Sequence, residues 1–294
     1  MLIFADVMDK VRIYLLALCA AVALGSCDFL ERNKPLVREI GKAVASEIER
    51  NKPSGASPGA ASAATEADDA LLRQASPGGM PEQMLRRTGY TASYNKATKL
   101  PNWVAWHLTY DRTTGPAKRS GVDFEADTDV PAPRAEDSDY YGSGYDRGHM
   151  CPAADNKYSV EAMRESFLFT NMCPQDGGLN RGDWNEMEQA CRRWAKEYGG
   201  VYIVCGPILY KGKHKTIGRN KVTVPEAFFK VVLRTGADTK AIGFIYKNTG
   251  GNRPKGDYVN TVDEVERLTG IDFFPALPDD VEKRVEAEAD IADW

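Results

Sequence analysis

The sequence predicts an α+β domain built on an antiparallel sheet, and three observations carry that prediction. Four runs, 103–110, 201–210, 221–234 and 241–247, have the β-branched and aromatic content of strands. The last two are joined by a short turn around Gly236-Ala237-Asp238, which makes them antiparallel neighbours. Between the first and second runs lies a strongly amphipathic helix, so strands and helices are mixed rather than repeating as a parallel βαβ series.

The helix is predicted over 182–198. Trp184, Met187, Cys191, Trp194 and Tyr198 recur at i, i+3, i+7, i+10 and i+14, which is one apolar face, and Gly199-Gly200 ends it. A second, shorter helix opens at the capping box Thr261-Val262-Asp263-Glu264 and closes before Gly270. The two tryptophans of WVAWHLTY, Trp103 and Trp106, read as core rather than as a base-stacking platform.

Ahead of the domain the composition changes twice. Lys10 and Arg12 precede the apolar run IYLLALCAAVALGS, which has the order of a secretory signal and is too short to span a bilayer comfortably. Leu24-Gly25-Ser26-Cys27 resembles a bacterial lipobox, with Cys27 as the lipidated residue; a plain secretory signal is the alternative. Residues 28–79 read as a flexible tether, because the Ala, Ser, Gly and Pro of 51–79 bury too little apolar surface to fold alone. The organisation expected is a leader over 1–27, a tether over 28–79, a domain over 80–278 and an acidic tail over 279–294. The tail holds seven acids against Lys283 and Arg284, so the formal charge of −4 belongs to it and the body is close to neutral. A low net charge therefore does not exclude a polyanionic substrate. Export permits disulfides among Cys151, Cys173, Cys191 and Cys205, with three pairings open. Their spacing lacks the close C-x₂₋₄-C of a zinc site.

Of three histidines, His149 alone sits in a cluster of chemistry, YDRGHMCPAADN. Imidazole titrates near neutral pH and suits a general base. Gly148 before it is expected to let the backbone bend so that the ring projects into a cleft. Asn180 and Glu188 lie eight residues apart. On one helix starting near Asn180 they would share a side and present an amide oxygen and a carboxylate to one hard cation. Lys211 to Lys221 holds five basic residues and no acid; such a loop suits a phosphate backbone or simply solvent.

DRGHM at 146–150, NMCPQ at 171–175 and LNRGDWNEME at 179–188, in that order, resemble the DNA/RNA non-specific endonuclease family, the ββα-metal group that includes mitochondrial endonuclease G. The resemblance covers roughly residues 85–277 and is strongest over 140–210. It implies the ββα-metal nuclease fold, a central antiparallel sheet flanked by helices. It implies metal-dependent hydrolysis of phosphodiester bonds in DNA and RNA without sugar specificity, using Mg²⁺ or Mn²⁺. His149 becomes the general base, Arg147 its supporting arginine, and Asn171 an organiser of the histidine turn. Asn180 becomes the metal ligand and Glu188 its acidic partner, acting through the cation's water. An upstream catalytic arginine maps best to Arg119, with Arg112 and Arg134 as alternatives. The partners expected are DNA and RNA from the resemblance and, from the leader, the membrane only through an N-terminal lipid anchor; the oligomeric state is left open, a homodimer among the options. A catalytically weak nucleic-acid-binding surface lipoprotein serving DNA uptake is the competing reading.

Overall fold

The computed structural model describes residues 66–236 and 238–294. The leader, Cys27 and the tether up to residue 65 lie outside the described residues. The strands in chain order are β1 (Gln83–Arg86), β2 (Thr91–Asn95), β3 (Leu100–Leu108), β4 (Asp146–His149), β5 (Met172–Gln175), β6 (Val201–Ile208), β7 (Thr216–Ile217), β8 (Val222–Thr223), β9 (Ala227–Arg234), β10 (Lys240–Lys247) and β11 (Val259–Asn260). The helices are α1 (Val160–Glu165), α2 (Gly177–Arg181), α3 (Asp183–Glu197), α4 (Val262–Thr269) and α5 (Asp279–Glu286).

Seven strands form one sheet in the order β1-β2-β3-β6-β9-β10-β11, antiparallel throughout. Its central strands are buried on both faces, which is why they read in the sequence as continuous apolar runs rather than as an alternation. Val104, Trp106, Ile203, Cys205, Phe228, Val232 and Phe244 point to one face, where Trp184, Met187, Cys191 and Trp194 of α3 cover them. Trp103, Tyr202, Val204, Phe229, Val231 and Leu233 point to the other, beneath Val262 and Val265 of α4 and Val285 of α5. The sheet thus lies between helices, and α3 stands on one face of it. The apolar face expected of α3 is the buried one, and the capping box of α4 forms as expected, with Gly270 left-handed at φ 72°. The run 221–234 is two strands rather than one, since its ladder breaks between Thr223 and Ala227 around Pro225, which has no N–H to donate.

Two expected boundaries shift. Residues 66–79, assigned to the tether, pack on the domain: residues 66–71 are helical, Leu71 and Leu72 touch the core, and Ala75 bridges Asp272 in both directions at 3.0 and 2.9 Å. Buried Gln74 accepts from the Phe274 N–H at 2.8 Å. Polar composition hid this because the segment docks through a few apolar side chains and backbone bonds. The acidic tail is likewise no tail. Val285 is core, the Trp294 ring lies 5.1 Å from Trp194, and Asp293 pairs with Lys240 at 2.6 Å. Its acids occupy the outer side of a segment whose apolar residues face inward. The four thiols are free and buried, so no disulfide forms among the described residues.

Candidate active site

β4 and β5 form a two-stranded ribbon apart from the main sheet, with Gly148 opposite Cys173 and His149 opposite Met172. Gly148 is required for a different reason from the bend expected of it. It is an extended strand residue, and a Cβ there would meet the buried Gln175 side chain at 2.3–2.9 Å. Glycine lets the two strands close over that side chain. Beyond His149 the chain turns, and Asn171 clasps the turn. Its Oδ1 accepts from the Cys151 N–H at 2.9 Å, and its Nδ2 donates to the Cys151 and Ser166 carbonyls, both at 2.8 Å. Fully buried, Asn171 lies outside the cleft and acts through the shape of the histidine turn, so it is a positioning residue rather than a catalytic one. Trp184 adds a second hold from α3, donating its indole N–H to the His149 carbonyl at 3.3 Å.

The His149 ring faces a cleft of about 580 Å³ lined by Arg119, Phe124, Asp146, Arg147, Asn180, Asn185, Glu188 and Arg192, among others. It is only 8% exposed, and its Nε2 has no hydrogen-bond partner among the described residues. The Phe167 ring meets it edge-on at 5.0 Å and Phe124 lies at 5.7 Å. Burial, with the Arg119 charge adding to it, lowers the imidazole pKa to about 3, against a smaller opposing effect of a hydrogen bond to the Arg147 backbone. The ring is therefore neutral at physiological pH, and burial takes it well below the near-neutral titration expected of an imidazole from the sequence.

Asn180 and Glu188 do not share one helix as expected. Asn180 sits on α2, whose start Asp176 caps by accepting from the Gly178 and Leu179 N–H groups. The chain then breaks at Gly182 before α3 carries Glu188. The kink still brings both into the same cleft. The Asn180 amide donates to Asp146 Oδ2 at 3.0 Å, which leaves its Oδ1 unengaged among the described residues. Asp146 also receives Arg181 at 2.5 Å. Burial raises the Glu188 carboxyl to about 7, Asp155 adds to the rise, and Lys230, Arg192 and Arg119 oppose it. Lys230 is buried behind this group, its Nζ 4.2 Å from the Trp184 ring centre.

The arginines separate cleanly. Arg119 lines the cleft, its guanidinium 5.5 Å from the Phe167 ring centre. Arg112 is spent on carbonyls and on Asn156, donating to His107 at 2.8 Å and to Asn156 Oδ1 at 3.0 Å. Arg134 donates to the carbonyls of its own loop, at Val130 and Thr128. Only Arg119 of the three can meet a substrate in the cleft. Arg119→Ala is expected to lower cleavage with an unchanged melting temperature, whereas Arg112→Ala lowers the melting temperature; enzyme rates and thermal melts of the two distinguish the roles. Arg147 is held over Phe124, Tyr140 and Tyr141 and bonded to Asp137. The sequence reading missed Arg192, which lines the cleft, donates to buried Asp155 at 2.9 Å and approaches Glu188 at 3.9 Å. Its i+4 spacing from Glu188 was the available signal. Missed too were Asp146 and Arg181, each inside a quoted motif. In all, four arginines face two carboxylates, Asp146 and Glu188, so the cleft favours a polyanion although the whole chain is acidic.

A neutral buried histidine, a free arginine and two hard oxygen donors, framed by a β-ribbon and a helix beside an antiparallel sheet, define the ββα-metal class of nuclease fold. Residues 68–280 match the family model described as DNA/RNA non-specific endonuclease, and the chain belongs to that family. It is 36% identical over 207 residues to the mitochondrial nuclease EXOG of Xenopus laevis, covering 65% of this chain and 58% of that protein. It is 31% identical over 289 residues to a nuclease of Nostoc sp., covering 94% and 97% of the two chains. The chain spans 56–64% of the length of the vertebrate EXOG relatives. Among solved structures, the crystal structure of an EndoG/EndoGI complex superposes with a TM-score of 0.63 at 32% identity, covering 67% of this chain and 87% of that one.

Proposed function

We propose that the chain is a metal-dependent, sugar-non-specific endonuclease that hydrolyses phosphodiester bonds in DNA and RNA, exported and held at a membrane by a lipid on Cys27. The observation that carries the reading is the His149 ring, neutral, its Nε2 without a hydrogen-bond partner among the described residues, lining a cleft that also holds Arg119, Asn180 and Glu188. The Nε2 atom takes the proton of an attacking water, which forms the new P–O bond as the bond to the 3′-oxygen breaks. Phe124 and Phe167 pack against the ring and help to bury it. Arg119 meets the charge that grows on the non-bridging oxygens in the transition state. Arg147, held by Asp137 and three aromatic rings, fixes the strand that carries the histidine.

Asn180 Oδ1 would hold the cation directly and the Glu188 carboxylate would hold it through one of its waters, and the donor set fits Mg²⁺ or Mn²⁺: hard oxygens, one of them neutral, and space in the cleft for water. Bound there, a divalent cation supplies charge to the phosphate and the departing 3′-oxygen. Little base selectivity is expected, because these groups address phosphate rather than base edges.

Digestion of plasmid DNA and of RNA, with Mg²⁺ and with EDTA, tests the activity. Both substrates are degraded with Mg²⁺ and neither with EDTA. Binding without cleavage would instead support the DNA-uptake reading. Cys27→Ala tests the anchor, since it moves the protein out of the membrane fraction or leaves it unprocessed. Equal membrane association of parent and variant would refute lipidation.

A further inference from the structure

On the sheet face away from the cleft, three carboxylates from two helices converge. Asp263 and Glu266 are i, i+3 neighbours on α4 and so project from one side of it. Glu286 is the last residue of α5. An oxygen from each lies within 4.8 Å of the others. None of the three makes an ion pair among the described residues. Arg284, the cation nearest in sequence on α5, donates instead to the Thr239 carbonyl at 3.4 Å.

A cluster of acids alone is common on protein surfaces. What distinguishes this one is Glu286, which is 7% exposed and whose Oε1 has no hydrogen-bond partner among the described residues. A buried carboxylate without a partner is costly. Glu266 Oε1 accepts from the Phe273 N–H at 2.7 Å. A cation held among the three carboxylates would supply the partner that Glu286 Oε1 lacks among the described residues.

We infer that Asp263, Glu266 and Glu286 form a second divalent-cation site, distinct from the catalytic cleft, that takes Ca²⁺ and ties α5 to α4. The donor set supports calcium: Ca²⁺ accepts irregular shells of carboxylates completed by water. Mg²⁺ demands shorter, octahedral contacts and gives up its water reluctantly. Asp263, at the exposed edge, leaves the solvent side open for water ligands, while Glu286 supplies the buried wall.

Calcium titration of the full chain, stripped with EDTA and dialysed, tests the site. The background is Asn180→Ala with Glu188→Gln, so that neither proposed cleft ligand contributes to binding. One Ca²⁺ binds by calorimetry, and at a hundredfold excess over Kd the melting temperature rises by about 5–10 °C. Adding Glu266→Gln and Glu286→Gln removes the rise, while without calcium that variant melts within a few degrees of its parent. Asp263→Asn, which disturbs no packing, gives a partial loss and keeps the test valid if the double variant folds poorly. A calcium-dependent rise that is missing from the parent, or undiminished in the substituted chains, overturns the site. A Mg²⁺ shift equal to that of Ca²⁺ overturns the assignment to calcium.

Discussion

His149→Ala cleaves plasmid DNA about 10²–10⁴-fold more slowly than the parent at saturating Mg²⁺, the range expected for loss of a positioned general base. DNA binding and far-ultraviolet circular dichroism stay unchanged, since Arg119, Arg147 and the clasp by Asn171 do not depend on the ring. The same substitution has a stability signature with a fixed sign. The folded-state pKa of His149 is depressed to about 3, below the ordinary value near 6.5 that it regains on unfolding. Between those values the unfolded chain binds the extra proton, so the parent loses stability as pH falls through this window and the alanine variant does not. Relative to the parent, the variant therefore gains about 2 kcal/mol between pH 6.5 and pH 5. Thermal melts of the two proteins across that range read the difference directly. A folded variant that cleaves at near-parental rate would remove the base assignment.

Asn180→Ala requires far more Mg²⁺ than the parent and stays well below its rate at saturation, because it removes the direct amide ligand. Glu188→Gln keeps the size and an acceptor and is the milder change, about 10–100-fold, as for a group acting on the cation's surroundings. Calorimetric metal titration supplies a readout independent of turnover. With the Glu188 carboxyl raised to about 7, proton and cation compete for it below that pH. The Mg²⁺ needed for half-saturation by the parent thus climbs as pH falls from 8 to 6, and in Glu188→Gln that pH dependence flattens. If Glu188→Gln abolished metal binding while Asn180→Ala titrated like the parent, the two roles would have to be exchanged.

Much of the site was legible in the chain because its chemistry is concentrated in short local motifs. DRGH, NMCPQ and LNRGDWNEME name the residues, and local strand or helix geometry places each of them within its own segment. The arginines were different. Arg112, Arg119 and Arg134 are alike in sequence, and only the partners each finds across the fold separate two structural arginines from the one left free for substrate. Arg192 went unnoticed because its partner Asp155 is 37 residues away.

By itself the sequence determined the class of fold, the apolar face of α3, the capping box of α4 and the identity of the central histidine. Those features are set by side-chain periodicity and by contacts between near neighbours, which a linear reading samples directly. Tertiary structure alone decided that residues 66–79 and 279–294 pack on the domain, that Gly148 serves a close approach rather than a bend, and that α2 and α3 are separate helices meeting at one cleft. It also decided that His149 is neutral, that Glu188 is raised and that Glu286 Oε1 has no hydrogen-bond partner among the described residues. The physical reason is common to all of these. Desolvation, steric approach and hydrogen-bond satisfaction depend on atoms brought together from distant parts of the chain, and no local pattern encodes them.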